Sequence, residues 1–165
     1  MQISSDKTLL LIPCYNEAAR LKFDSFKTDI DPSIDLFFVD DGSTDETCNL
    51  IQKFIDENKN AKSKCALYRC AKNGGKGEAI RAGMLAAGQY FNLSDYTWLG
   101  FWDADLATPL TEVRNLIIYR NHFNRNSLAI FGSRVNRYGS LITRSQIRHY
   151  LSRIFITMTS WILGG

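Results

Sequence analysis

Two aspartates one residue apart, Asp103-Ala104-Asp105, follow an apolar stretch and precede a Thr108-Pro109 helix start. Alternate side chains of an extended chain point the same way, so this spacing sets both carboxylates on one side, within reach of each other. Like charges so placed repel. Either one takes up a proton, or a hard divalent cation, magnesium or manganese, sits between them and a phosphate. The cation is the expected solution, against the alternative that the pair merely caps a turn. Asn73-Gly74-Gly75-Lys76-Gly77 is a glycine-rich turn at a helix start, able to present backbone amides and the Lys76 ammonium to a phosphate. It is no Walker loop, because Gly77 rather than Ser or Thr follows Lys76. It also fails the dinucleotide fingerprint, where Ile80 fills the last small position; as a plain tight turn it needs no ligand. In Asp40-Asp41-Gly42-Ser43 a carboxylate can bind a base or ribose, while an Asx turn with a capping box accounts for the same residues without a ligand. His122 and His149 have no ligand spacing and receive no role.

These groups act together only if a scaffold gathers them. Residues 8–13 and 34–40 are short apolar runs bounded by turn signals and read as buried strands. Leu21, Phe23 and Phe26 mark one side of a helix between them. Ser43 and Glu46 have capping-box spacing, which predicts a helix from Thr44. Residues 65–70 form a third strand, 77–90 a helix, 96–102 a fourth strand and 128–132 a fifth, and Thr108 caps a helix with Pro109 in its first turn. Such alternation calls for an α/β fold, a mostly parallel sheet with helices on both faces, whose ligands bind at the strands' carboxyl ends. The residues to watch are therefore 15–17, 40–43, 73–77, 103–105 and 133–134.

The chain has 165 residues, 45% hydrophobic, 12% aromatic and 22% charged. That composition excludes disordered, collagen-like and low-complexity classes and suits one domain with a sizeable core. No stretch approaches the ~18 apolar residues of a membrane span, and the apolar run at residues 9–12 is too short for a signal peptide. A cytosolic chain is expected. Cys14, Cys48, Cys65 and Cys70 match neither a zinc pattern nor a disulfide framework and read as reduced. The net charge of +3 hides a division: residues 1–112 hold 12 basic and 17 acidic residues, whereas residues 113–165 hold eight arginines and no lysine, aspartate or glutamate. An all-arginine excess suits phosphate groups, lipid headgroups or nucleic acid, or else a solvated basic face. Paired acids would expel an anionic substrate unless cation and arginine offset them, and both kinds of group are present.

Residues 12–17, 39–45, 73–84, Asp103-Ala104-Asp105 and Gly132-Ser133-Arg134 together resemble glycosyltransferase family 2, in order and in interval. NGGKGEAIRAGM, DADLATP and FGSR are most similar to the dolichyl-phosphate or polyprenyl-phosphate glucosyltransferases, themselves similar to the dolichyl-phosphate mannose synthases. The resemblance implies a GT-A-like, Rossmann-like fold and an inverting transfer of a hexose, glucose by preference, from a nucleotide-diphosphate sugar such as UDP-glucose or one of GDP-mannose type. The acceptor it implies is a polyprenyl or dolichyl phosphate, and the cofactor Mg2+ or Mn2+. By position, Pro13, Tyr15, Glu17 and Asp41 would hold base and ribose, with Lys76 on the donor's phosphates. Asp103, Ala104 and Asp105 form the DxD signature that addresses ribose and the metal-diphosphate, Asp105 and Asp103 being the metal ligands. Arg134 would meet donor or acceptor phosphate. Mannose synthases place a metal-ligating glutamine two residues past the signature; Ala107 stands here, so water or another residue must complete the shell. Relatives continue with a further strand and a cysteine-containing acceptor segment, which implies a single domain over 1–165 cut short of its acceptor side.

Ile147, Tyr150, Leu151, Ile154, Phe155, Met158, Trp161 and Ile162 recur at helical spacing, an apolar stripe beside Arg144 and Arg148. Such a helix can lie in a membrane interface, on the cytoplasmic face, while Arg144 and Arg148 hold the acceptor phosphate, or it can pack on the domain core. Two rival functions are a nucleotide-and-metal-binding fragment without catalysis, and a sugar nucleotidyltransferase. The second would need a basic glycine-rich loop after the first strand, where the anionic Cys14-Tyr15-Asn16-Glu17 stands. No nucleic-acid partner is expected, since no RNA or DNA module signature is present.

Overall fold

The computed structural model describes residues 6–29, 31–123 and 126–132, and of residues 27–29 the backbone alone. The chain divides into two compact units, residues 1–128 and 129–165. All the elements below belong to the first. Strand β1 (Thr8–Cys14) leads to helix α1 (Phe23–Asp29), then come β2 (Ile34–Asp40), α2 (Thr47–Glu57), β3 (Cys65–Arg69), α3 (Lys76–Tyr90), a 3-10 turn (Leu93–Asp95), β4 (Trp98–Phe101) and α4 (Thr111–Phe123). The strands pair in parallel in the order β3-β2-β1-β4. Every residue of β2 is buried, because a central parallel strand has neighbours at both edges and helices over both faces.

Alternation divides the apolar side chains between two layers. Leu10, Ile12, Leu36 and Phe38 face Phe26 of α1, Ile51 and Phe54 of α2, and Leu110 and Val113 at the start of α4. Leu9, Leu11, Phe37 and Val39 face the other way, onto Ala79, Ala86 and Ala87 of α3 and onto Phe91. Aromatic rings fill the first layer: Phe23 stacks on Phe54 at 4.9 Å, and Phe26 meets Phe38 edge-on at 5.5 Å. The α3 layer is thin instead. A Cβ on Gly83 would stand 2.6 Å from Val39 Cγ2 and 2.9 Å from Leu11 Cδ2, so glycine is what lets this helix lie against the sheet.

Near the amino-terminal ends of the strands Asp35 is fully buried yet fully partnered. Its Oδ1 accepts the Lys64 amide at 2.7 Å, and its Oδ2 takes the Tyr96 hydroxyl at 2.5 Å and Lys7 Nζ at 3.0 Å. Lys7 also lies 4.9 Å over the Tyr96 ring. A buried charge held this way is a structural pin.

Several boundaries differ from expectation. The Ser43–Glu46 box does not form, and α2 starts at Thr47 with Glu46 at its N-cap and no side-chain cap. Ser43 and Asp45 serve other partners, described below. The fourth strand is confined to four residues because the 3-10 turn precedes it and a turn follows it. Pro109 stands two residues before α4, in a turn where the Glu112 amide donates to Pro109 O at 3.1 Å. Residues 128–132 form no strand: Leu128 and Phe131 are 95% and 85% exposed, and an apolar run becomes a strand only where a neighbour supplies its ladder bonds. The helix expected over residues 147–162 lies outside the described residues.

Two predictions follow from the packing. Alanine is the better helix former at position 83 by ~1 kcal/mol, but its methyl group overpacks against stiff Val39. Gly83→Ala should therefore lower unfolding free energy by about 1–3 kcal/mol in a urea titration; a stabilised variant would show that the sheet gives way. The second concerns alkali. Burial, reinforced by Asp35, raises the Cys65 thiol from 9.0 to about 11. Burial also raises Cys14, with help from Glu17 and Asp40, and raises the Tyr96 phenol, with help from Asp35. All three groups bind their protons more tightly folded than unfolded, so their contribution is complete below pH 9 and is lost as pH rises. The urea midpoint should fall between pH 9 and 11; a flat profile there would contradict the assignment.

Candidate functional site

Parallel register ends three strands together, with Cys14 opposite Asp40 and Asp40 opposite Arg69. The chain crosses from β3 back to β4 on the far side of β1, so the loops after β1 and β4 flank a switch point in strand order, where open α/β sheets bind ligands. The loops after β1 and β2 are laced together by short polar side chains. The Asn16 amide donates to Ser43 Oγ at 2.9 Å, and the Thr44 amide returns to Asn16 Oδ1 at 2.9 Å, with Asn16 in the left-handed region at φ 50°. The Glu17 amide donates to Thr47 Oγ1 at 2.8 Å and the Ala18 amide to Asp45 Oδ2 at 3.2 Å. Asp45 Oδ1 in turn accepts the Thr47 amide and hydroxyl at 3.0 and 2.5 Å. The Thr47 hydroxyl, more than any other group, holds the Asp45 carboxyl below its usual value.

Asp40 is fully buried at the end of β2. Its Oδ1 accepts the Ser43 amide at 3.2 Å, while Arg69 Nε lies 3.3 Å from Oδ2, near enough to attract but not aligned to hydrogen-bond it. Asp41 does something the sequence did not suggest: it clamps the glycine-rich turn, Oδ1 taking the Gly74 amide at 2.9 Å and Oδ2 the Gly75 amide at 2.7 Å. Those two amides are thus engaged by the chain's own carboxylate, which corrects the expectation that they stand ready for a phosphate. Gly42 makes the clamp possible. Its φ is +69°, and a Cβ there would lie 2.8 Å from the Asn73 nitrogen and the Lys72 carbonyl carbon.

After β4 the chain turns at once. The Leu106 amide donates to Asp103 O at 3.2 Å, Leu106 has φ 48°, and the Trp102 indole anchors the far side on Thr108 O at 2.7 Å. Asp103 and Asp105 therefore do not share one side of an extended segment, as the spacing predicted, but sit on a tight turn with separate partners. Asp103 pairs with Lys76 Nζ. Asp105 is exposed and its Oδ1 accepts the Ala107 amide at 3.0 Å, so Ala107 contributes to the site through its backbone. Ala104 is buried between them. Among the described residues no three His, Cys, Asp or Glu side chains converge into a cage. Two carboxylates, one of them exposed, nonetheless fit a magnesium or manganese ion that keeps several waters and shares a substrate's phosphates.

Of the residues expected at the site, Pro13, Tyr15, Glu17, Asp41, Asp103, Ala104 and Asp105 lie on the loops or strand ends at this edge, and Lys76 opens α3 beside them. Tyr15 is 43% exposed. Glu17 gives Oε1 to Arg20 at 2.6 Å, while its Oε2 is buried with no hydrogen-bond partner. Arg134, Arg144 and Arg148 lie outside the described residues. Two arginines of the basic stretch make fold contacts instead: Arg114 pairs with Asp31 at 3.0 Å, and Arg120 lies 5.1 Å from the Trp98 ring. Asn16 and Ser43, within the stretches to watch but given no site role there, position the edge together with Asp45, Thr47 and Arg69, which were not singled out. An open cavity of about 490 Å³, lined by Tyr68, Cys70, Lys72 and Arg81 among others, shares Asp41 and Gly74 with the edge but is not lined by Asp103 or Asp105.

Residues 10–161 match the model of Glycosyl transferase family 2. The chain belongs to glycosyl transferase family 2. It is 30% identical over 156 residues to a dolichyl-phosphate beta-glucosyltransferase of Dictyostelium discoideum, covering 86% of this chain and 45% of that protein. It is 27% identical over 151 residues to an uncharacterized protein of Methanocaldococcus jannaschii, covering 91% and 61%. The chain thus spans about half the length of the curated relatives it matches. Among solved structures it is similar to a mannosyltransferase from Pyrobaculum calidifontis in complex with GDP-Man and Mn2+, with TM-score 0.53, 20% identity, and coverage of 69% of this chain and 32% of that one. S. aureus TarS 1-349 in complex with UDP gives TM-score 0.51, 20% identity, 70% and 32%. These likenesses establish the GT-A-like fold of the family 2 domain.

Asp41→Asn tests the clamp. An amide side chain can accept only one of the two glycine N–H groups, so stability should drop by about 1–3 kcal/mol, and the Gly74 and Gly75 amides should exchange hydrogen faster. Unchanged exchange would mean that another group holds the turn.

Proposed function

We propose that the chain carries the donor side of an inverting hexosyl transfer, from a nucleotide-diphosphate sugar, UDP-glucose by preference, to a polyprenyl or dolichyl phosphate. The observation that carries the reading is the exposed Asp105, beside a Lys76-paired Asp103, at the carboxyl end of β4 in a chain of this family. The glucosyl and lipid-phosphate parts rest on the relative at 30% identity, and a metal-dependent donor is supported by the structural neighbour that holds GDP-Man and Mn2+.

On this reading the loop after β1 receives the nucleoside. Tyr15 offers an exposed ring for a base, Pro13 a rigid floor, and Glu17 a buried, unpartnered oxygen that a base or ribose donor can satisfy. Asp41 acts indirectly, by holding the turn that presents Lys76. Magnesium or manganese, held by Asp105 with Asp103 and by water, would neutralise charge on the departing nucleoside diphosphate. Lys76 adds a second positive charge on that side. The acceptor is a phosphate, already an anion at neutral pH, so the site needs no strong general base. Arg134, Arg144 and Arg148 are assigned to the acceptor phosphate from sequence. The partner surface proposed is the cytoplasmic face of a membrane; among the described residues no helix is long and apolar enough to cross one.

Calorimetry with UDP and GDP tests the donor side. Saturable binding that requires Mn2+ is expected, and Asp105→Asn should weaken it at least about tenfold; unchanged affinity would refute the metal assignment. Adding a polyprenyl phosphate and UDP-glucose should release UDP. Binding without release would leave a donor-binding module and overturn the transfer.

A further inference from the structure

Lys76 is the first residue of α3, and Asp103 lies two residues past β4. Their side chains meet in an ion pair, with Lys76 Nζ also 5.6 Å from the centre of the Phe101 ring. The pair joins two loops separated by 27 residues. Asp41 takes the Gly74 and Gly75 amides, and Lys76 carries the one cationic side chain of the turn. Both members are about half exposed, at 54% and 47%. An ion pair so exposed is weak and easily exchanged, and the lysine stem is long and flexible.

We infer that Lys76 is an internal counter-ion for Asp103, a positioning residue that closes the carboxylate pair to a free divalent ion and yields it when the donor's diphosphate arrives. The inference rests on the proposed donor site and adds its order of assembly. With Lys76 in place, Asp103 is neutralised and Asp105 alone offers negative charge, too little to strip waters from magnesium or manganese. A nucleoside diphosphate carries more negative charge than a single carboxylate, so it competes successfully for the ammonium. Lys76 then moves onto the phosphates, and Asp103 regains its charge beside Asp105. Metal and nucleotide should consequently bind as mutually dependent partners, each raising the affinity of the other by the same factor. Phe101 keeps the ammonium nearby by cation–π attraction, so the exchange is a short swing and not a search.

The test uses Mn2+ alone, followed by the free aquo-ion signal in electron paramagnetic resonance, and then UDP and GDP at saturating Mn2+. The wild-type chain, Lys76→Met, Lys76→Arg and Asp105→Asn are compared. Lys76→Met should bind Mn2+ alone roughly tenfold more tightly than wild type, because a repelling charge is gone. It should bind the nucleoside diphosphate with Mn2+ roughly tenfold more weakly, because a phosphate contact is gone. These opposite shifts are not what loss of structure would give. Lys76→Arg keeps the charge and should leave Mn2+ binding at the wild-type level. Equal or weaker Mn2+ binding by Lys76→Met would overturn the inference. If that occurs while Asp105→Asn still abolishes Mn2+-dependent nucleotide binding, the donor site stands and only the counter-ion role falls. If Mn2+ makes no difference to nucleotide binding in the wild-type chain, both fall together.

Discussion

Acidic side chains crowd the carboxyl edge of this sheet, and their mutual repulsion is the constraint that the local structure answers. Parallel strands ending in register bring Glu17, Asp40, Asp41, Asp45, Asp103 and Asp105 to one rim. Each is offset by a partner of its own: Arg20 for Glu17, the Ser43 amide and Arg69 for Asp40, two glycine amides for Asp41, the Thr47 and Ala18 groups for Asp45, Lys76 for Asp103, and the Ala107 amide for Asp105. Most of these partners are backbone amides, whose dipoles offset charge without adding a mobile cation. The two aspartates after β4 have few fixed backbone partners, among the described residues none for the Asp103 carboxylate and one amide for Asp105. One has a flexible lysine and the other remains exposed, so it is there that charge can be exchanged for a ligand's.

The strands were legible because burial on both faces leaves a continuous apolar run between turn signals. Ile34–Asp40 forms as expected to the residue, and α3 within one residue of its expected start. The failures arise where a local pattern meets surroundings that its spacing does not encode. Ser43 and Glu46 have the spacing of a capping box, but Ser43 is taken by Asn16 from the neighbouring loop. Residues 128–132 have strand composition without a ladder beside them. Asp103 and Asp105 alternate as on a strand, but β4 ends at Phe101 and the turn closed by the Leu106 amide on Asp103 O takes them both.

The candidate site was legible in its membership and not in its wiring. Residue type and place after a strand were enough to single out Asp41, Lys76, Asp103 and Asp105. Which of them faces a ligand and which faces the protein depends on distances across loops, and no spacing rule encodes those. Asp41 shows the difference best. Read alone, it is a free acid at a strand end; in the fold, both its oxygens are committed to the turn that carries Lys76. The basic stretch after Glu112 was similarly ambiguous, and its described members Arg114 and Arg120 contact Asp31 and Trp98 of the fold.

The two ends of the sheet handle buried charge in opposite ways. At the amino ends Asp35 is sealed: the Tyr96 hydroxyl, Lys7 and the Lys64 amide leave neither oxygen open, and replacing any partner strands a charge in the core. At the carboxyl ends Glu17 and Asp40 each keep a buried oxygen without a hydrogen-bond donor. An unmet acceptor in a buried position is a cost that a ligand's donor can remove. On the proposed reading, a guest completes this rim. A molecule bringing hydroxyl or N–H donors to Glu17 and anionic oxygens to Lys76 would satisfy both at once, and a nucleoside carrying a diphosphate has those two kinds of group on one short framework.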